Sequence, residues 1–108
     1  MTSSTRSAVR KGSAEDAHTR ALDAMIARLP KTGALVLVHS HAELPALRLR
    51  VLRARGELVA MATRVLVAPT AADERRAVGP DPSLPVIQAP FLAEQRAYAA
   101  ALAQVWSA

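Results

Sequence analysis

Residues 33–43 read Gly33-Ala34-Leu35-Val36-Leu37-Val38-His39-Ser40-His41-Ala42-Glu43, and their reading decides the fold class. The run Ala34–Val38 is short, continuously apolar and bounded by Gly33 and Ser40. A strand covered on one face alternates apolar and polar side chains, whereas a strand covered on both faces does not. The run therefore predicts a strand buried on both faces, as in a parallel sheet enclosed by helices. Ser40 and Glu43 stand at capping-box spacing, so a helix is expected to follow directly. Pro45 falls early enough to be tolerated in its first turn.

Upstream, Leu22, Met25, Ile26 and Leu29 recur at helical spacing. Ser13 is the expected N-cap of that helix, with Glu15 and Asp16 in the first turn, where carboxylates suit the helix dipole. Pro30-Lys31-Thr32-Gly33 ends it. Downstream, Leu44–Arg55 carries two signals. Its Leu, Arg and Ala favour helix, yet Leu47-Arg48-Leu49-Arg50-Val51 alternates like a half-exposed strand. On a helical wheel Arg48 and Arg55 fall within the apolar arc, with Arg50 and Arg53 opposite. The order strand, cap, helix selects the helix; the rival is a hairpin turning at Arg55-Gly56. Leu58–Ala62 either extends the helix past a kink or begins the next strand.

Arg64–Ala68 is the second clear strand. Thr70, with Asp73 and Glu74, opens a short helix that Gly79-Pro80-Asp81-Pro82 stops. Pro85–Gln88 reads as a third strand, and Pro90 is well placed at a helix start. Phe91, Tyr98, Leu102, Val105 and Trp106 give the closing helix its apolar side. Ala93, Ala97, Ala100 and Ala101 permit close helix approach there. Strands alternating with helices imply βαβ crossovers. The expected fold is α/β: a small three-stranded, mainly parallel sheet with helices on both faces, Rossmann-like in its α-β-α-β-α-β-α order. Residues 1–12 read as a disordered basic tail and 13–108 as a single domain.

Composition narrows the function classes. Of 108 residues, 51% are hydrophobic, but 24 are Ala, which allows a modest core. Fourteen Lys+Arg against nine Asp+Glu give +5. The balance is lopsided: residues 1–56 carry +6 and residues 57–108 carry −1. A basic half raises the question of nucleic acid, because phosphate neutralisation drives non-specific binding. The expected phosphate contacts are Arg6, Arg10, Lys11, Arg48, Arg50, Arg53 and Arg55; a solvated helix face is the structural alternative. There is no Cys, which excludes disulfides, thiol catalysis and thiolate metal sites and fits the cytoplasm. Met1–Gly12 has no apolar core of a signal peptide, and no apolar run is long enough to span a bilayer. Only four Gly occur, and neither GxGxxG nor GxxxxGK[ST] is present, nor GxSxG, nor HExxH.

In open parallel sheets ligands bind beyond the carboxyl ends of the strands. Three loops meet that description, giving His39, Ser40, His41, Thr70, Asp73 and Gln88 as candidate ligand contacts. The two histidines of His39-Ser40-His41 suit a metal pair, whose third ligand would be a carboxylate from elsewhere such as Asp73, or a general base beside a Ser nucleophile, for which no third triad member is indicated. No metal, cofactor or catalytic residue is assigned. Asp73-Glu74-Arg75-Arg76 reads as the charged face of a short helix with i,i+3 pairs. The expectation is a small non-enzymatic α/β module that binds nucleic acid or a protein partner, with no membrane partner. Two alternatives stand beside it. One is a subunit of a larger assembly, or a homo-oligomer, docking through the C-terminal helix. The other is a small-molecule or phosphoryl-ligand protein using the strand-end loops.

Overall fold

The computed structural model describes residues 17–80 and 82–107. The expected Ser13 cap, the 1–12 tail with Arg6, Arg10 and Lys11, and Asp81 lie outside the described residues. In chain order the elements are α1 (17–27), β1 (Leu35–Val38), a 3-10 turn (His41–Glu43), α2 (Leu44–Arg55), α3 (Glu57–Ala62), β2 (Arg64–Val67), α4 (Ala71–Val78), β3 (Val86–Gln88) and α5 (Pro90–Ser107). The three strands form one parallel sheet in the order β2-β1-β3.

The central place of β1 explains its sequence. It is the one strand with a neighbour on each side and helices above and below, so all four of its residues are buried. Its side chains divide between two cores, as the period of two requires. Val36 and Val38 join Met25, Ile26 and Leu29 of the α1 region, Leu47 and Val51 of α2, and Val59 of α3. Leu35 and Leu37 join Leu92 of α5 and Ala68, with Val78 of α4 packed against them. Thus α1, α2 and α3 cover one face, and α4 and α5 cover the other. A single crossover hand demands this, because β1→β2 and β2→β3 move in opposite directions across the sheet.

The segment with two readings, Leu44–Arg55, is helical, and Leu58–Ala62 lies in a further short helix rather than a strand. Gly56 separates the two helices. It has φ 88° and ψ 176°, a conformation open essentially to glycine alone. Gly33 is constrained differently. It closes the Pro30–Gly33 turn by donating to the Pro30 carbonyl at 2.9 Å. A Cβ built on it would lie 2.0 Å from the Ala62 carbonyl oxygen. The start of β1 and the end of α3 therefore approach as closely as backbones can. Among the described residues no helix is long and apolar enough to cross a membrane.

Candidate functional site

Because the chain reverses its sideways direction after β2, the crevice between the ends of β1 and β3 is the place where open α/β sheets hold ligands. His39 is half-buried there, its ring edge-on to Phe91 with centroids 5.6 Å apart. His18 meets the same ring from α1 at 6.2 Å. The carboxylate Oε2 of Glu43 accepts from the backbone N–H groups of His39 and Ser40, each at 2.9 Å. This fixes the loop as the Ser40–Glu43 spacing implied, although a 3-10 turn intervenes before α2. His41 is exposed on that turn. A cavity of about 150 Å³ opens here, lined among others by His18, Leu22, Glu43, Leu47, Pro90 and Phe91. That is below the roughly 300 Å³ at which small-molecule pockets begin.

The other three candidates belong to a hydrogen-bonded cluster that ties α4, β3 and α5 together. Thr70 and Asp73 form a reciprocal cap. The Asp73 N–H donates to Thr70 Oγ1 at 3.1 Å, and the Thr70 N–H donates to Asp73 Oδ2 at 3.2 Å. Asp73 also pairs with Arg76, the i,i+3 partner expected from the sequence. The Thr70 hydroxyl, and after it Arg76, hold the Asp73 carboxyl below its ordinary range. Gln88 donates to Glu74 at 3.2 Å. Glu74 takes its main bond from Arg96 Nη1 at 2.7 Å, and this bond, followed by that of Gln88, keeps its carboxyl below the ordinary range against the effect of burial. Arg96 Nη2 donates to the carbonyls of Ala68 and Thr70 at 2.9 and 3.0 Å. Each of these side chains is engaged by the protein itself. Among the described residues no three of His, Asp and Glu converge to hold a metal.

Arg96 was not among the residues the sequence singled out. Its signal was an arginine four residues after Leu92, on the buried side of the last helix.

The basic residues of α2 divide in two. Arg50 bonds Asp23 of α1 at 2.9 Å. Arg55 donates to the Ile26 and Ala27 carbonyls at 2.8 and 3.0 Å and so caps the C-terminus of α1. Arg48 and Arg53 are exposed.

Two further surfaces are apolar and open. The first is a groove of about 830 Å³ between α2, α3 and the edge strand β2, lined by Leu49, Leu52, Met61, Val65 and Leu66, with Arg48, Glu57 and Arg64 among its polar residues. Thr63 Oγ1 beside them is buried without a hydrogen-bond partner. The second is the outer half of α5, where every residue from Ala97 to Trp106 is exposed. Tyr98, Leu102, Val105 and Trp106 are 63, 40, 71 and 85% exposed. These residues were expected to form the helix's apolar side, and they do, but nothing in the described fold covers it. Comparison with protein-family models, with curated proteins and with solved structures finds no match. The functional reading therefore rests on the geometry of this chain.

Proposed function

We propose that this chain is an interaction module that docks on a protein partner through the outer half of α5. The observation that carries this reading is the run of ten exposed residues from Ala97 to Trp106 with Tyr98, Leu102, Val105 and Trp106 along it. Their spacing of i, i+4, i+7 and i+8 places them on one helix face, the pattern of anchors by which an amphipathic helix enters a groove. Two of the four are aromatic, the residue types that dominate interface energetics. The run carries no charge, and charged residues are depleted at interface centres.

The strand-end cluster supports a small-ligand role less well, because Thr70, Asp73, Glu74, Gln88 and Arg96 bond one another. The nucleic-acid reading also loses support, since Arg50 and Arg55 hold α1 in place. The test is site-specific photo-crosslinking from position 106 in cells that express the chain. The expected result is one discrete adduct that disappears when Val105→Asp is introduced. An unmodified chain, or a smear unaffected by Val105→Asp, overturns the reading.

A further inference from the structure

We infer that the partner is a second copy of this chain, and that two copies exchange their α5 helices. In this arrangement the outer half of α5 from each copy lies in the α2–α3–β2 groove of the other. The inference rests on the proposed role of α5 and adds the identity of its receptor. The two surfaces cannot satisfy each other within one chain. α5 packs through Leu92 on the sheet face of Leu35 and Leu37, whereas α2 and α3, which wall the groove, cover the opposite face. Arg96 fixes α5 against the Ala68–Thr70 loop, and the helix beyond it stays exposed.

Area favours exchange over simple pairing of two α5 helices. The four stripe residues expose on the order of 500 Å². Pairing them with their symmetry copies covers about 1,000 Å² in all, at the lower limit for a specific interface. Exchange covers the stripe and the groove, whose lining residues Leu49, Leu52 and Met61 are 44, 41 and 82% exposed. It does so twice, bringing the total to about 2,000 Å², in the range of stable dimers. Charge points the same way. The last turn of α5 has no basic side chain to offset the negative end of the helix, and the groove presents Arg48 and Arg64 against the one carboxylate of Glu57. Two-fold closure leaves neither surface open for further growth.

The experiment is light scattering coupled to size exclusion, from micromolar to several hundred micromolar protein. It uses wild type, the helix variant Val105→Asp and the groove variant Met61→Asp. Both sites are more than two-thirds exposed, and far-UV circular dichroism checks that each variant folds. The expected result is a wild-type dimer, a monomer for each variant alone, and recovery of a weaker heterodimer, at the highest concentrations, when the two variants are mixed. That heterodimer retains one intact contact, between the unaltered helix and the unaltered groove. Trp106, the sole Trp, is expected to shift its emission to the blue in the dimer and to return in Met61→Asp.

A dimer broken by Val105→Asp but not by Met61→Asp means helix-to-helix pairing and overturns the inference. The converse means groove-to-groove pairing and also overturns it, as does failure of the mixture to recover a dimer. A wild-type monomer throughout overturns it too. If the position-106 crosslink then joins a different protein, the docking role of α5 stands without self-exchange.

Discussion

Replacing Gly33 by Ala tests the close backbone approach between Gly33 and Ala62, and Gly56→Ala is its control. Both glycines have positive φ, 94° and 88°. An alanine in that region costs about 1–3 kcal/mol from backbone strain alone. At Gly56 the added methyl meets nothing within 4 Å, so strain is the whole effect. At Gly33 it lies 2.0 Å from the Ala62 carbonyl oxygen, 2.4 Å from its carbon and 2.8 Å from the Ala62 Cβ. No rotamer relieves a collision with backbone. Either β1 or the end of α3 must move by about 1 Å, an overpacking cost of roughly 1–3 kcal/mol. Gly33→Ala is therefore expected to cost about 2–6 kcal/mol and Gly56→Ala about 1–3 kcal/mol. A domain of this size holds roughly 5–10 kcal/mol in total. In urea, with a slope near 1 kcal/mol/M, the two midpoints should differ by about 2 M. Equal midpoints would show that α3 yields to the turn at no cost, and the added collision term would then be wrong. The result bears on the groove, since Ala62 precedes the groove residues Thr63, Arg64 and Val65.

Leu92→Ala removes a fully buried side chain and should cost about 3 kcal/mol, whereas Leu102→Ala should cost under about 0.5 kcal/mol in the monomer; urea unfolding of dilute protein compares them. Arg96→Ala breaks the bonds to Glu74, Ala68 and Thr70. It should cost about 2–3 kcal/mol, with faster amide exchange across Thr70–Asp73 than elsewhere. Asp73 and Glu74 have their carboxyl pKa values lowered in the folded chain. Their stabilisation is full above the ordinary carboxylate range and is lost as pH falls through the lowered values. Urea midpoints between pH 7 and pH 3 should fall, and Glu74→Gln should make that fall shallower.

Much of the fold was legible because β1 is buried on both faces. A continuous apolar run too short for a helix and closed by Gly33 and Ser40 suits that position and few others. Leu44–Arg55 was ambiguous for a physical reason that the structure makes plain. Leu47 and Val51 face the core, while Leu49 and Leu52 face the groove. A helix with two apolar sides imitates the alternation of a strand. The candidate site was legible only in its local parts. The Thr70–Asp73 cap and the Asp73–Arg76 pair lie three residues apart and were read directly. The bonds of Arg55 to α1 and of Arg96 to the β2–α4 loop span 26–29 residues, beyond the reach of any spacing argument. The basic density of α2 was thus visible, but its engagement with α1 was not.

The open half of α5 follows from lengths rather than from chemistry. Eighteen residues of helix extend about 27 Å. Strands of four residues run only about 13 Å, and three strands span about 10 Å across. A helix laid on such a sheet, in any direction, must overhang it by about half its length. Composition then decides what the overhang is. A solvated extension would carry charge, as the exposed arginines of α2 do, but residues 97–106 carry none and include two of the three aromatics of the chain. The stripe that begins with half-buried Phe91 at the start of the helix continues past the sheet without changing character. Periodicity shows which face of a helix is apolar; the length of the sheet beneath shows how much of that face the chain can cover by itself. Here the shortfall begins at Ala97, and the neutral, aromatic face beyond it has the composition of an interface.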